Sequence, residues 1–180
     1  MVEEKTISSR SIFKGRAFGV RVDKVFNANG EETTREIVEH PECVAVVPVD
    51  ANGDILLVRQ YRKAVEKELL EIPAGGIDPG EDAPTAVKRE LQEEIGHIPG
   101  RIERIGGFYS SPGFCTEYLY LYLAFDLKPS QLYAEDTAGI QTVKIKPDQI
   151  RRMIESGEIC DSKSVAGLLS YLDYSKKTRG

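Results

Sequence analysis

The sequence predicts an α+β domain in which a mixed β-sheet lies between helices. Three observations carry this reading. Strand-like and helix-like segments mix without a regular βαβ alternation. CVAVVPV at 43–49 is apolar at both alternating sets of positions, as in a strand covered on both faces. Residues 82–95 carry apolar side chains at helical spacing and stop at a glycine.

The elements follow in order. Residues 17–26 alternate partially and read as a strand. Asn27-Ala28-Asn29-Gly30 is a turn, and 33–39 return as a second strand. These form an N-terminal β-hairpin arm, residues 1–41, with a break at His40-Pro41. The main domain then runs over 42–180. The β-rich runs 43–49 and 54–60 flank the turn Asp50-Ala51-Asn52-Gly53, which predicts a hairpin. A short strand is expected at 69–73. Val87, Leu91 and Ile95 recur every fourth residue in the helix 82–95, and Gly96 ends it. Strands at 101–109 and 117–126 enclose the loop Ser110-Ser111-Pro112-Gly113, and EYLYLYLAF is strongly β-prone. A strand at 140–146 and helices at 147–156 and 162–174 complete the chain.

The bulk numbers bound the function. The 180 residues suit one domain with a small added part, and 41% hydrophobic with 29% charged residues is a globular balance. The net charge is −5 with the two signs interspersed, so no nucleic-acid footprint is present. A small anionic ligand therefore needs a local basic group. Cys43, Cys115 and Cys160 are far apart and odd in number, which suggests neither a zinc site nor a disulfide framework. The N-terminus lacks an apolar core of signal-peptide length, and no apolar run is long enough for a membrane span. A soluble, cytoplasmic protein is expected.

The helix 82–95 is where chemistry concentrates. At ~100° per residue, Glu90 and Glu94 share a face and flank the Val87-Leu91-Ile95 stripe. Glu93 lies beside that face, four residues from Arg89. Two adjacent, partly buried carboxylates repel each other and lose hydration, so a cation should offset that cost. Mg²⁺ and Mn²⁺ fit, because they take carboxylate, carbonyl and water oxygens. The alternative is a solvated acidic face with an Arg89–Glu93 pair.

The spacing weighs between these two. Gly75 is followed by Glu81, then Arg89-Glu90-Leu91, Glu93-Glu94 and Gly96. This resembles the Nudix box. The departure is His97, which stands where the pattern has an apolar residue and is followed by Ile98. The resemblance implies the Nudix fold and hydrolysis of a nucleoside diphosphate linked to another group. It implies Glu90 and Glu94 as principal metal ligands and Glu93 as an additional one. Arg89 matches the arginine that orients the glutamates, and Glu81 an acid that supports the loop. Ala74 sits where a backbone carbonyl is often offered to the metal. Gly75 lets the backbone approach metal and phosphate closely.

Pro112 lies fifteen residues after His97, an offset similar to that of the ADP-ribose pyrophosphatases within this family. The stretches 58–76 and 154–172 resemble the same subfamily. That resemblance implies cleavage of ADP-ribose to AMP and ribose 5-phosphate by a homodimer whose N-terminal strands reach the partner. Hydrolysis of another nucleotide sugar, and a weakly active nucleotide-sugar sensor, are the alternatives. Arg62 is a fixed cation suited to phosphate, its alternative being a surface charge. Glu71 either accepts ribose hydroxyls or lies on an exposed strand face. Phe18 and Phe26 are candidates for stacking on adenine, with core or dimer packing the plainer role. The subfamily also carries an acidic loop with a water-activating glutamate. Here Asp136 takes the first of its two glutamate positions and Ala138 the second. Asp136 is the first candidate for the base, with Glu135 and Glu117 behind it.

Overall fold

The computed structural model describes residues 3–134 and 137–179. Its contacts separate two compact units. The first holds residues 3–42 together with Tyr109–Tyr118, a segment that sequence reading placed in the main domain. The second holds Cys43–Phe108 and the chain from Leu119 onward.

The first unit is a three-stranded antiparallel sheet, β1 (Lys5–Lys14), β2 (Gly19–Phe26) and β3 (Glu32–Glu39), in that order. The expected hairpin is β2–β3. β1 is an additional strand that periodicity did not reveal. All ten of its residues are exposed, so it carries no burial pattern, and it exists by pairing with β2. The loop Tyr109–Tyr118 is tied in by Val38 N–H to Phe114 O at 2.7 Å and Thr116 N–H to Val38 O at 3.0 Å. Phe18 and Phe26 are exposed in the single chain, so neither is a core residue of it.

The second unit contains two sheets. One has the order β7 (Ala74–Gly76), β4 (Cys43–Pro48), β9 (Tyr118–Pro129), β8 (His97–Tyr109), and it is mixed: β4 runs parallel to β9 and antiparallel to β7. The other has the order β10 (Gln141–Ile145), β5 (Ile55–Arg62), β6 (Lys67–Glu71) and is antiparallel. The expected β4–β5 hairpin is thus corrected. Its turn forms, with Gly53 N–H on Asp50 O at 2.9 Å, but only Val49 and Ile55 pair across it. A strand has two hydrogen-bonding edges. Those of β4 are taken by β7 and β9, and those of β5 by β6 and β10.

Every residue of β4 is buried, and its alternation divides the core. Cys43, Ala45 and Val47 join Ile150 and Met153 of α2 (Ile150–Glu155) and Leu168 and Tyr171 of α3 (Ser162–Arg179). Val44 and Val46 join Ala86, Val87, Leu91 and Ile95 of α1 (Ala83–Ile95). Helices therefore cover both faces, and this is what makes 43–49 apolar throughout. Among the described residues no helix is long and apolar enough to cross a membrane.

Candidate active site

Helix α1 is set by local chemistry at both ends. Asp82 caps it, with Oδ1 accepting from Thr85 N–H at 2.8 Å, and Pro84 follows in the first turn. Gly96 closes it at φ 67°, a left-handed conformation that favours glycine, and its N–H reaches Leu91 O. Val87 and Leu91 are fully buried, which fixes the rotation of the helix about its axis. That rotation turns Glu90 and Glu94 toward β7. His97, the departure from the box pattern, begins β8 with Nδ1 2.6 Å from Ile95 O.

Arg89 organises the acids. Its Nε and Nη2 donate to the two Glu81 oxygens at 3.0 and 2.9 Å. Nη1 donates to Glu90 at 2.6 Å and to Glu93 at 3.3 Å, and Nη2 also donates to the Gly76 carbonyl at 2.7 Å. Glu81 in turn accepts from Asp78 N–H at 3.1 Å, so the loop before the helix hangs on the same guanidinium. The Arg89 hydrogen bonds hold the Glu81 carboxyl below its ordinary range. The Arg89 guanidinium is itself held further into its charged form, chiefly by Glu81.

Glu90 and Glu94 are the strained members. Burial pushes the Glu90 carboxyl up, partly offset by Arg89. Burial, and then the charge of Glu90, push the Glu94 carboxyl up to about 8. Glu94 Oε2 accepts from Ala74 N–H at 3.1 Å. A Cβ built at Gly75 would overlap the Glu90 carboxylate, so this position accepts only glycine while Glu90 stays where it is. Arg62, Ala74, Gly75, Glu90, Glu93 and Glu94 line a cavity of about 400 Å³.

This donor set fits a hard divalent cation. Carboxylates at the wall of a cavity, one of them held toward its neutral form by burial and a neighbouring charge, call for positive charge between them. Among the described residues, Arg89 and the Ala74 N–H now serve Glu90, Glu93 and Glu94 separately.

The structure removes the plainer alternative for two residues. Glu71 does not lie on an exposed face: it is 1% exposed. Its carboxylate receives a two-pronged ion pair from Arg62, Nε at 2.8 Å and Nη2 at 2.7 Å, together with a short bond from Lys163 Nζ. Burial works against its charge, but Arg62 and Lys163 hold its carboxyl below the usual range. Arg62 is correspondingly neither a plain surface charge nor a free cation. It stands at the cavity wall with one edge committed to Glu71.

Pro112 and Glu117 belong to the first unit, where Glu117 Oε1 lies 3.7 Å from His40 Nδ1. Glu135 and Asp136 lie outside the described residues, and Ala138 is exposed. Sequence reading missed Lys163 and Asp161. Asp161 precedes α3 and accepts from Ser164 N–H at 3.2 Å, a capping signal legible in CDSKS. Nothing local shows that Lys163 meets Glu71, ninety-two positions away.

Comparison with known proteins follows the same line. A model of the NUDIX domain matches residues 39–166. The chain is 36% identical over 173 residues to a protein of Bacillus subtilis (strain 168) named ADP-ribose pyrophosphatase, covering 95% of this chain and 93% of that one. It is 38% identical over 167 residues to the methanol dehydrogenase activator of Bacillus methanolicus, covering 92% and 90%. The crystal structure of an ADP compounds hydrolase shares the fold, with a TM-score of 0.90 at 22% identity over 99% of this chain and 97% of that one. The Arg89-centred glutamates on α1, the matched domain and these full-length relatives agree: the chain belongs to the Nudix family of hydrolases.

Proposed function

We propose that the chain hydrolyses ADP-ribose to AMP and ribose 5-phosphate with Mg²⁺, Mn²⁺ serving as a substitute. The observation that carries this reading is the pairing of Glu90, Glu93 and Glu94 with Arg62 around one cavity. An acidic wall suits divalent cations, and an arginine beside it suits the phosphates they accompany. The Bacillus subtilis relative, covered over 93% of its length, is named ADP-ribose pyrophosphatase, which supports this substrate.

The residues divide the work. Glu90 and Glu94, with Glu93 and the Ala74 carbonyl, would hold divalent ions, which neutralise the diphosphate and acidify a bound water when present. Arg89 keeps the carboxylates oriented. Gly75 leaves room for the Glu90 carboxylate. Arg62 binds a phosphate, Glu71 holds Arg62 from behind, and Pro112 is assigned to substrate binding on the subfamily resemblance alone. Asp136 is assigned the attacking water's proton, with Glu135 and Glu117 as substitutes, since Ala138 has no carboxylate to offer. Water adds to one phosphorus, the bond to the bridging oxygen breaks, and the proton ends on the released phosphate.

The N-terminal arm, residues 1–41, is assigned to homodimer formation, and 42–180 to hydrolysis. β1 is exposed throughout and carries the exposed Ile7, Ile12 and Phe13 on an open sheet edge. The free cysteines suit a reducing, cytoplasmic setting.

A panel of nucleoside diphosphate sugars, incubated with Mg²⁺ or Mn²⁺ and resolved by chromatography, tests the reading. Selective release of AMP from ADP-ribose is expected. Preference for another nucleotide sugar overturns the substrate. Binding without turnover of any member overturns the enzyme reading in favour of a sensor, with Ala138 as the lost group.

A further inference from the structure

We propose that Lys163 is a positioning residue: it keeps the Glu71 carboxylate neutralised so that the Arg62 guanidinium can turn to a diphosphate in the cavity. The inference rests on the functional reading above, in which Arg62 meets a phosphate.

Glu71 is 1% exposed, while the Arg62 side chain is 39% exposed at the cavity wall. If these two were alone, an incoming diphosphate would compete with Glu71 for the Arg62 fork. If Arg62 turned its Nε and Nη2 donors from Glu71 to the phosphate, a buried carboxylate would be left short of a partner, and such a group is costly. Binding would then be opposed by the cost of uncovering Glu71.

The third member changes this balance. Lys163 Nζ bonds the same Glu71 oxygen, Oε2, that Arg62 Nη2 takes. Lys163 is in turn held by Asp161 Oδ2 at 2.8 Å, and that oxygen also accepts from the Ser164 N–H at the start of α3. Lys163 and Asp161 are only 15% and 16% exposed, so the ammonium is fixed from two sides and shielded. Glu71 therefore keeps a cation whichever way Arg62 faces. Two acids and two bases balance at zero net charge without substrate. With a phosphate on Arg62, Glu71 and Asp161 still share Lys163.

The test is steady-state kinetics on ADP-ribose with Lys163→Met, Lys163→Arg, Glu71→Gln and the double variant Glu71→Gln/Lys163→Met. ADP binding in EDTA, read by calorimetry, provides a measure independent of turnover. Lys163→Met is expected to raise KM and weaken ADP binding by roughly tenfold, with kcat changed less than about twofold, as for loss of uniform binding. Lys163→Arg restores most of the loss. In the Glu71→Gln background no carboxylate needs covering, so Lys163→Met adds nothing to KM. The double variant has no Glu71 charge left to cover, and the loss of Lys163 from Asp161 is common to both backgrounds, so it reports even if Lys163→Met folds poorly. A merely structural lysine would lower the active fraction, and hence apparent kcat, at unchanged KM; that result overturns the proposal. So does an equal Lys163→Met effect in both backgrounds. Absence of hydrolysis by the wild-type protein counts against the functional reading, whereas wild-type turnover with an unchanged variant KM counts against Lys163 alone.

Discussion

Replacing Glu94 by glutamine in metal-free protein should stabilise it, and more at high pH than at low. The glutamine keeps the shape and still offers an oxygen to the Ala74 N–H, which Glu94 accepts at 3.1 Å. It removes the ionisation. The Glu94 carboxyl is pushed from 4.5 up to about 8 in the folded chain, first by burial and then by Glu90. Between those pH values the folded chain holds a proton that the unfolded chain has released. Stability must then fall as pH rises through this window. At about 1.4 kcal/mol per pH unit, and with Glu94 half-ionised near pH 8, the wild type loses roughly 2 kcal/mol between about pH 6 and about pH 8. For a chain of this size that is a drop of about 4–8 °C in melting temperature. The glutamine variant should show a flatter profile, keeping only the contribution of Glu90, whose carboxyl is also raised by burial. Melting in EDTA by circular dichroism across this pH range reads both. Parallel pH profiles for the two proteins would refute the reasoning, because the buried charge would then not reside on Glu94. Mg²⁺ competes with the proton, so its stabilisation of the wild type should be larger at the higher pH and much reduced in the variant.

Other outcomes follow from the same geometry. Gly75→Ala should lower kcat/KM at least ~tenfold while the protein still folds, because the new Cβ overlaps the Glu90 carboxylate; near-wild-type kinetics would mean that Glu90 can move without loss. Leu91→Ala should cost about 2–5 kcal/mol, since Leu91 is fully buried between α1 and the sheet, and denaturant titration measures it. Asp136→Asn should lower turnover more than it weakens binding, and unchanged turnover would place the base elsewhere.

The helix, the caps and the acids were legible in the sequence because their physics is local. Asp82, Gly96 and the Val87-Leu91-Ile95 stripe act within a few residues, and Arg89 meets Glu93 by the i,i+4 spacing of the helix. Residues 43–49 announced burial on both faces, and the structure places helices on both. Strand partners were another matter. The turn at Asp50 was read correctly, yet β4 and β5 diverge into separate sheets, since competition for hydrogen-bonding edges is decided by strands far along the chain. β1 left no trace, because a wholly exposed strand has no apolar period to read.

The sequence by itself determined the acidic helix, since the spacing of glutamates on one helix is set by helical geometry whatever surrounds it, and the likeness of that spacing to the Nudix box pointed to the family. Only the tertiary structure decided what Glu71, Arg62 and Lys163 are. Glu71 could equally have faced water. Burial between distant segments brought two cations to it, and in a low-dielectric wall a charge takes its meaning from its neighbours in space rather than in sequence.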